Sequence, residues 1–317
     1  MTNGEEKSGN GIWERELVTK LATAALKEQR RARLWGIFFK LLTFAYITLF
    51  LVMAIDWKGA DVAGGKKYTA MVEVNGIIAP GTDASAEKIT TALQAAFKDK
   101  STQGVVVRIN SPGGSPVQAH TIYEEMKRLR QKYPNIPLYA VVEDVCASGG
   151  YYVAVGADRI YVGQASVVGS IGVLMNGFGF TGLMDKLGVE RRLVTSGENK
   201  AMLDPFSPVD PKDVEHVKTL MADIHQQFIG VVREGRGKRL KDSPEIFSGL
   251  IWTGKRSVDL GLADGFGSLE YVAREVIKAE DIRDFTITEG IAEKFARRFG
   301  AAAANTFIEA LLRASIR

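Results

Sequence analysis

Gly104–Asn110 reads GVVVRIN and runs into Ser111-Pro112-Gly113-Gly114; further on, Leu138–Val142 (LYAVV) runs through Glu143-Asp144-Val145-Cys146-Ala147 into Ser148-Gly149-Gly150. Both strand-like runs are continuously apolar rather than alternating, the pattern of strands buried on two faces. Each passes through a glycine-bearing turn into a helical segment: Val117–Tyr133, with Ile122, Met126 and Leu129 on one face, and Tyr151–Gly156. Working outward, Thr69–Val74 reads as a strand and Ala86–Lys98 as a helix through Ile89, Leu93 and Phe97. Arg159–Val162, Ile171–Leu174 and Glu190–Val194 read as further strands, Leu183–Leu187 as a short continuation of the alternation, and Asp210–Arg233 as a long helix. Such alternation predicts an α/β domain with a largely parallel sheet.

In sheets of this kind ligands sit beyond the carboxyl ends of the strands. Two glycine turns there can present backbone N–H groups into one crevice, as an oxyanion hole requires. Ser148 stands at the head of its helix. Read alone it is an N-cap serine; read with Pro112-Gly113-Gly114 it is a candidate nucleophile beside candidate donors. A serine hydroxyl needs a base. His120, His216 and His225 lie within helical segments and read as surface or packing residues. A lysine can serve where burial disfavours its ammonium form. Lys200, in the small-residue loop Ser196-Gly197-Glu198-Asn199-Lys200 after the run 190–194, is that candidate.

The 317 residues, 46% apolar and 25% charged, exclude a wholly disordered chain. One cysteine, Cys146, excludes an intrachain disulfide framework and a multi-cysteine zinc site, and three histidines make a histidine metal site a poor reading. No cofactor or metal is expected. The net charge of +4 lies at the ends: residues 1–40 hold 8 Lys/Arg against 5 Asp/Glu, and residues 290–317 hold 5 against 2. The middle is near neutral, so nucleic acid is not an expected partner. Residues 34–55 (LWGIFFKLLTFAYITLFLVMAI) carry one charge, Lys40, and match the length of a membrane span. Lys27, Arg30, Arg31 and Arg33 precede it, which predicts a cytoplasmic amino end and an exported remainder. The expected organisation is a cytoplasmic amphipathic segment at 1–33, a transmembrane helix at 34–55, a linker at 56–67, a catalytic domain at 68–289 and a carboxyl-terminal amphipathic helix at 290–317. Gly177-Phe178-Gly179-Phe180-Thr181-Gly182 formally fits G-x-G-x-x-G, a weak sign of a dinucleotide site.

The ordered set Asn110–Gly114, Ala147–Tyr152, Gly169-Ser170-Ile171-Gly172-Val173 and Ser196–Lys200, with Phe247–Asp264 (FSGLIWTGKRSVDLGLAD), resembles the signal peptide peptidase A and SohB family of membrane serine peptidases, over about residues 68–280. The resemblance implies a Clp-protease/crotonase-like fold and a serine endopeptidase with a Ser-Lys dyad acting on remnant signal peptides, other membrane-proximal peptides or misfolded exported proteins. By position, Ser148 matches the nucleophile, Lys200 the general base, and Ser170 a serine that orients the lysine. Gly113, Gly114 and Gly149 fall where the oxyanion hole is expected. Cys146 departs from the small residue usual there and reads as buried filler. The chain matches the short, single-unit form. Since the long relatives join two such units, the resemblance implies a homo-oligomer of roughly eight subunits with active sites shared between neighbours, placed in the inner membrane.

Overall fold

The computed structural model describes residues 6–54, 66–241 and 243–288. They fall into two units. The first is carried by α1 (Glu6–Ala54), a single 49-residue helix about 74 Å long at 1.5 Å per residue. It includes residues 34–54 of the expected span and continues through the basic cluster toward the amino end. It is the one helix among the described residues long and apolar enough to cross a membrane. The expected linker at 56–67 lies almost wholly, and the expected helix at 290–317 entirely, outside the described residues.

The second unit, Gly64–Thr288, is the α/β body. Its elements begin β1 (Tyr68–Asn75), α2 (Ala86–Lys98), β2 (Thr102–Ser111), α3 (Pro116–Lys132), β3 (Leu138–Ala147), α4 (Gly149–Ala154), β4 (Arg159–Val162) and β5 (Val167–Gly169). There follow α5 (Thr181–Leu187), α6 (Pro211–Arg236), β6 (Ile251–Thr253), α7 (Gly254–Asp259), β7 (Gly265–Phe266), α8 (Leu269–Tyr271, running on as a wider turn to Ile277) and β8 (Ile282–Asp284). The eight strands form one sheet in the order β6-β5-β3-β2-β1-β8, with β4 beside β3 and β7 beside β4. Every pairing is parallel except β5 with β6.

Burial explains the continuous apolar runs. On one face Val105, Val107 and Ile109 of β2 and Leu138, Ala140 and Val142 of β3 join one core with residues of α2, α3 and α4. On the other, Val106 and Val141 join Met71, Tyr161, Leu269 and Val272. Ile89, Leu93 and Phe97 of α2 are all buried, as their spacing requires. Helix α3 starts where its sequence says it should: the Ser115 hydroxyl accepts from the Gln118 N–H, with Pro116 in the first turn.

Strand β3 forks the sheet. It pairs with β4 as far as Val142↔Val162 and with β5 from Val145↔Val167. The Ser166 hydroxyl closes the fork, donating to the Glu143 carbonyl and accepting from the Gly163 N–H. Asn110 holds the neighbouring irregularity in β2, its Oδ1 accepting from the Val145 N–H at 3.2 Å. The last part of β3 is thereby carried beyond β4 to the Ser148 turn.

Two expectations fail. Ile171–Leu174 and Glu190–Val194 are not strands. Both belong to a long arm between β5 and α6; Ile171, at its start, is buried in the core, but farther along the arm packs little against the body, with Leu174 79% exposed and Val194 94%. Their β-rich composition finds no partner edge within the described residues of the subunit. Short strands β5, β6, β7 and β8 form instead, each two or three residues long.

Candidate active site

Ser148 ends β3 and heads α4 with φ 51° and ψ −121°. A positive φ on a non-glycine residue costs about 1–3 kcal/mol and persists only where its surroundings enforce it. Here the enforcement is double. The Ser148 N–H donates to the Gly169 carbonyl at 2.8 Å, and its carbonyl accepts from the Tyr152 N–H at 2.9 Å. The strand is tied to β5 on one side of the residue, and the helix begins on the other.

Ser170, the residue after Gly169, is the second serine with φ 51°. Its N–H donates to the Leu250 carbonyl at 2.8 Å. The sheet end thus links Ser148, Gly169, Ser170 and Leu250 in one backbone ladder. Neither serine hydroxyl has a hydrogen-bond partner among the described residues.

The two glycine turns meet as expected. A Cβ on Gly113 (φ +107) would stand 2.8 Å from Ser148 Cβ and 2.7 Å from the Gly149 nitrogen. On Gly114 (φ +149) it would stand 2.1 Å from the Ile78 carbonyl oxygen. On Gly149 it would stand 3.2 Å from the Gly114 nitrogen. Glycine is required at 113 and 114 on both counts, conformation and space. The Gly113 N–H is taken by Ser111 Oγ at 3.1 Å, while that hydroxyl donates to the Gly76 carbonyl. Gly113 therefore contributes shape rather than a free donor. The Gly114 and Gly149 N–H groups have no partner among the described residues; for Gly149 this follows from its place in the first turn of a helix.

Cys146 is fully buried in β3, and its thiol has no hydrogen-bond partner among the described residues; burial pushes its thiol pKa up, away from thiolate chemistry. His120 Nδ1 lies 2.9 Å from the Tyr152 hydroxyl, and His225 Nε2 lies 3.1 Å from the Ile171 carbonyl oxygen. Each of these two rings is thus engaged with packing partners. His216 is exposed.

Lys200 lies in the arm, exposed, with no hydrogen bond or ion pair from its ammonium among the described residues. Its backbone N–H closes a turn onto the Gly197 carbonyl. The burial that a lysine base needs is not supplied within one subunit. The G-x-G-x-x-G run sits in the same arm: no strand leads into it, and Phe180 stacks on Phe206 with centroids 5.5 Å apart. It lacks the leading strand of a dinucleotide site, and the helix that starts within it, α5, is only seven residues long.

Sequence reading misses the clasp beneath α4. The Tyr151 hydroxyl donates to the Leu262 carbonyl at 2.8 Å. Arg236, 1% exposed, donates from Nε to the Gly261 carbonyl and from a terminal nitrogen to Asp264 at 2.8 Å. Asp264 also accepts from the Ile160 N–H. Burial alone would raise the Asp264 pKa, but the Arg236 hydrogen bond and charge, the Ile160 amide and Arg239 together hold it below the usual carboxylate range. The run Gly261-Leu262-Ala263-Asp264 was legible as a motif, but not as the anchor of the serine-bearing helix.

A family model for Peptidase family S49 matches residues 130–283, and one for Clp protease matches residues 66–160. A relative in Enterococcus faecium that carries the name of signal peptide peptidase SppA is 30% identical over 237 residues, covering 72% of this chain and 68% of that protein. A protease-named relative in Synechocystis is 33% identical over 205 residues, covering 65% of this chain and 72% of that protein. A Na(+)/H(+) antiporter NhaA of Brucella abortus is 46% identical over 183 residues; this stretch is 58% of the present chain and only 25% of the antiporter. The body has the Clp-protease-like α/β fold.

Proposed function

The chain belongs to peptidase family S49 and is a serine protease related to signal peptide peptidase A and SohB; within that family we propose that it works as a membrane-anchored endopeptidase with Ser148 and Lys200 as its catalytic dyad. The observation that carries this reading is Ser148 itself, held at positive φ between a strand and a helix with the free Gly114 and Gly149 N–H groups in the adjoining turns. The Ser148 hydroxyl attacks the substrate carbonyl and gives its proton to neutral Lys200. Gly114 and Gly149 donate to the oxyanion, and Gly113 leaves room for it. The Lys200 ammonium then protonates the leaving amine, and water releases the acyl group through the same base. Ser170, one residue from the Ser148-bonded Gly169, orients the lysine.

Lys200 is exposed in the subunit, on an arm rich in exposed apolar side chains such as Leu174, Phe178 and Val194. Such a surface favours association. The proposed active site is therefore shared: Ser148 of one copy meets Lys200 of its neighbour in a homo-oligomeric ring of roughly eight subunits. Helix α1 anchors the ring in the inner membrane, with the amino end cytoplasmic and the catalytic domain exported. Substrates are remnant signal peptides, other membrane-proximal peptides and misfolded exported segments. A fluorophosphonate probe tests the nucleophile. The wild-type protein should be labelled and the Ser148→Ala protein should not; equal labelling of both would remove Ser148 from the mechanism.

A further inference from the structure

The sheet ends at β6, an edge that is short and apolar: Leu250 is 48% exposed and Ile251 58%. Edges left open in this way, without charge or proline, are templates for another strand. The Ser170–Leu250 hydrogen bond fixes the alternation across β5 and β6. With that pair bonded, Val168↔Trp252 is the next bonded pair, and Ile251 between them turns its N–H and C=O to the open side. The arm meanwhile carries Glu190–Val194, strand-like in composition and exposed throughout, and no backbone hydrogen bond among the described residues involves positions 190–196. One subunit thus holds an open strand edge and an unpaired segment of strand-like composition.

We propose that residues 190–194 of one copy add as a strand to the β6 edge of a neighbouring copy. The proposal rests on the shared-site reading for its purpose, though not for its geometry. An added strand would stand three strand spacings from the end of β3, on the order of 14 Å. Lys200 lies six positions beyond Val194, a reach of up to about 20 Å in extended chain. Pairing at β6 therefore brings Lys200 within range of the neighbour's active-site turn. It covers Ile251 and Val194 in the same contact and satisfies the open backbone groups on both sides.

Cysteine cross-linking of the full chain in detergent tests the contact. Cys146 is buried and inert, so introduced thiols report alone. Val194→Cys combined with Ile251→Cys, or with Thr253→Cys, should give products of two or more chains on mild oxidation, and each single variant should give none. Absence of interchain product from both pairs overturns the proposal. Should the cysteine variants fail to fold, Ile251→Lys decides: light scattering should find a smaller assembly of folded subunits, and an unchanged mass overturns the proposal. If mixed Ser148→Ala and Lys200→Ala subunits recover activity without cross-linking, the shared site stands and the strand contact falls. If the cysteine pairs cross-link but the mixed subunits recover no activity, the strand contact stands and the shared site falls.

Discussion

The Ser148 N–H and the Gly169 carbonyl, 2.8 Å apart, join the end of β3 to β5 at the point where both strands leave regular structure. The next residue on each side of that bond carries consequence. Gly149 opens α4, and Ser170 repeats the positive φ of Ser148. One backbone bond thus sets the relative positions of the proposed nucleophile and the proposed lysine-orienting serine.

Gly114 should tolerate no side chain. In Gly114→Ala the new Cβ would meet the Ile78 carbonyl oxygen at 2.1 Å, at φ +149. Thermal unfolding should report a loss of about 2 kcal/mol or more, with peptide hydrolysis down by at least about 100-fold. Gly188→Ala is the control: φ is +66 and nothing lies within 4 Å, so the loss should be about 1 kcal/mol with activity kept. Equal effects at the two sites would contradict the packing argument.

The Arg236–Asp264 pair should give stability a definite pH dependence. Asp264 is held below its ordinary pKa in the fold. Its contribution is therefore complete above the unfolded value of about 3.9 and fades as pH falls through the lower folded value. Asp264→Asn leaves Arg236 buried opposite a neutral group, at a cost of about 3–5 kcal/mol near neutral pH. Denaturant titrations should show that gap closing toward pH 2. A gap of constant size from pH 7 to pH 2 would show that the carboxylate charge is not what holds the clasp.

Orientation across the membrane follows from Lys27, Arg30, Arg31 and Arg33 on the amino side of the apolar run. Alkaline phosphatase fused after residue 290 should be active, because it works only outside the cytoplasm. A silent fusion that is expressed at full length would reverse the topology.

The central sheet was legible because its residues are over-determined by burial. β2 and β3 are covered on both faces, which their unbroken apolar runs reflect, and the spacing of Ile89, Leu93 and Phe97 marked the buried face of α2. Of the short strands, β5 to β8 were not legible, since two or three residues carry no period and their pairing is set by distant chain. Glu190–Val194 failed for a different reason: its composition suits a strand, but the subunit offers it no edge. At the site, the meeting of the two glycine turns could be read from their shared position at strand ends. The engagement of the Gly113 N–H by Ser111 could not, because Ser111 only gains meaning once the Gly76 turn lies beside it. Lys200 stood out in the sequence as a lysine in a small-residue loop after the run 190–194, but its role came from the family resemblance; in the subunit that run is not a strand and the lysine is exposed.

The shared active site is tested most directly by mixing two inactive proteins. Lys200→Ala and Ser148→Ala should each abolish peptide cleavage while leaving the fold intact, and Lys200→Arg should be inactive too, because a guanidinium cannot act as a base near neutral pH. Co-expressed, the Ser148→Ala and Lys200→Ala subunits should assemble together and recover part of the wild-type turnover, since some boundaries then pair an intact serine with an intact lysine. A mixture shown to co-assemble that stays without activity would contradict the account and require each subunit to carry its own complete dyad.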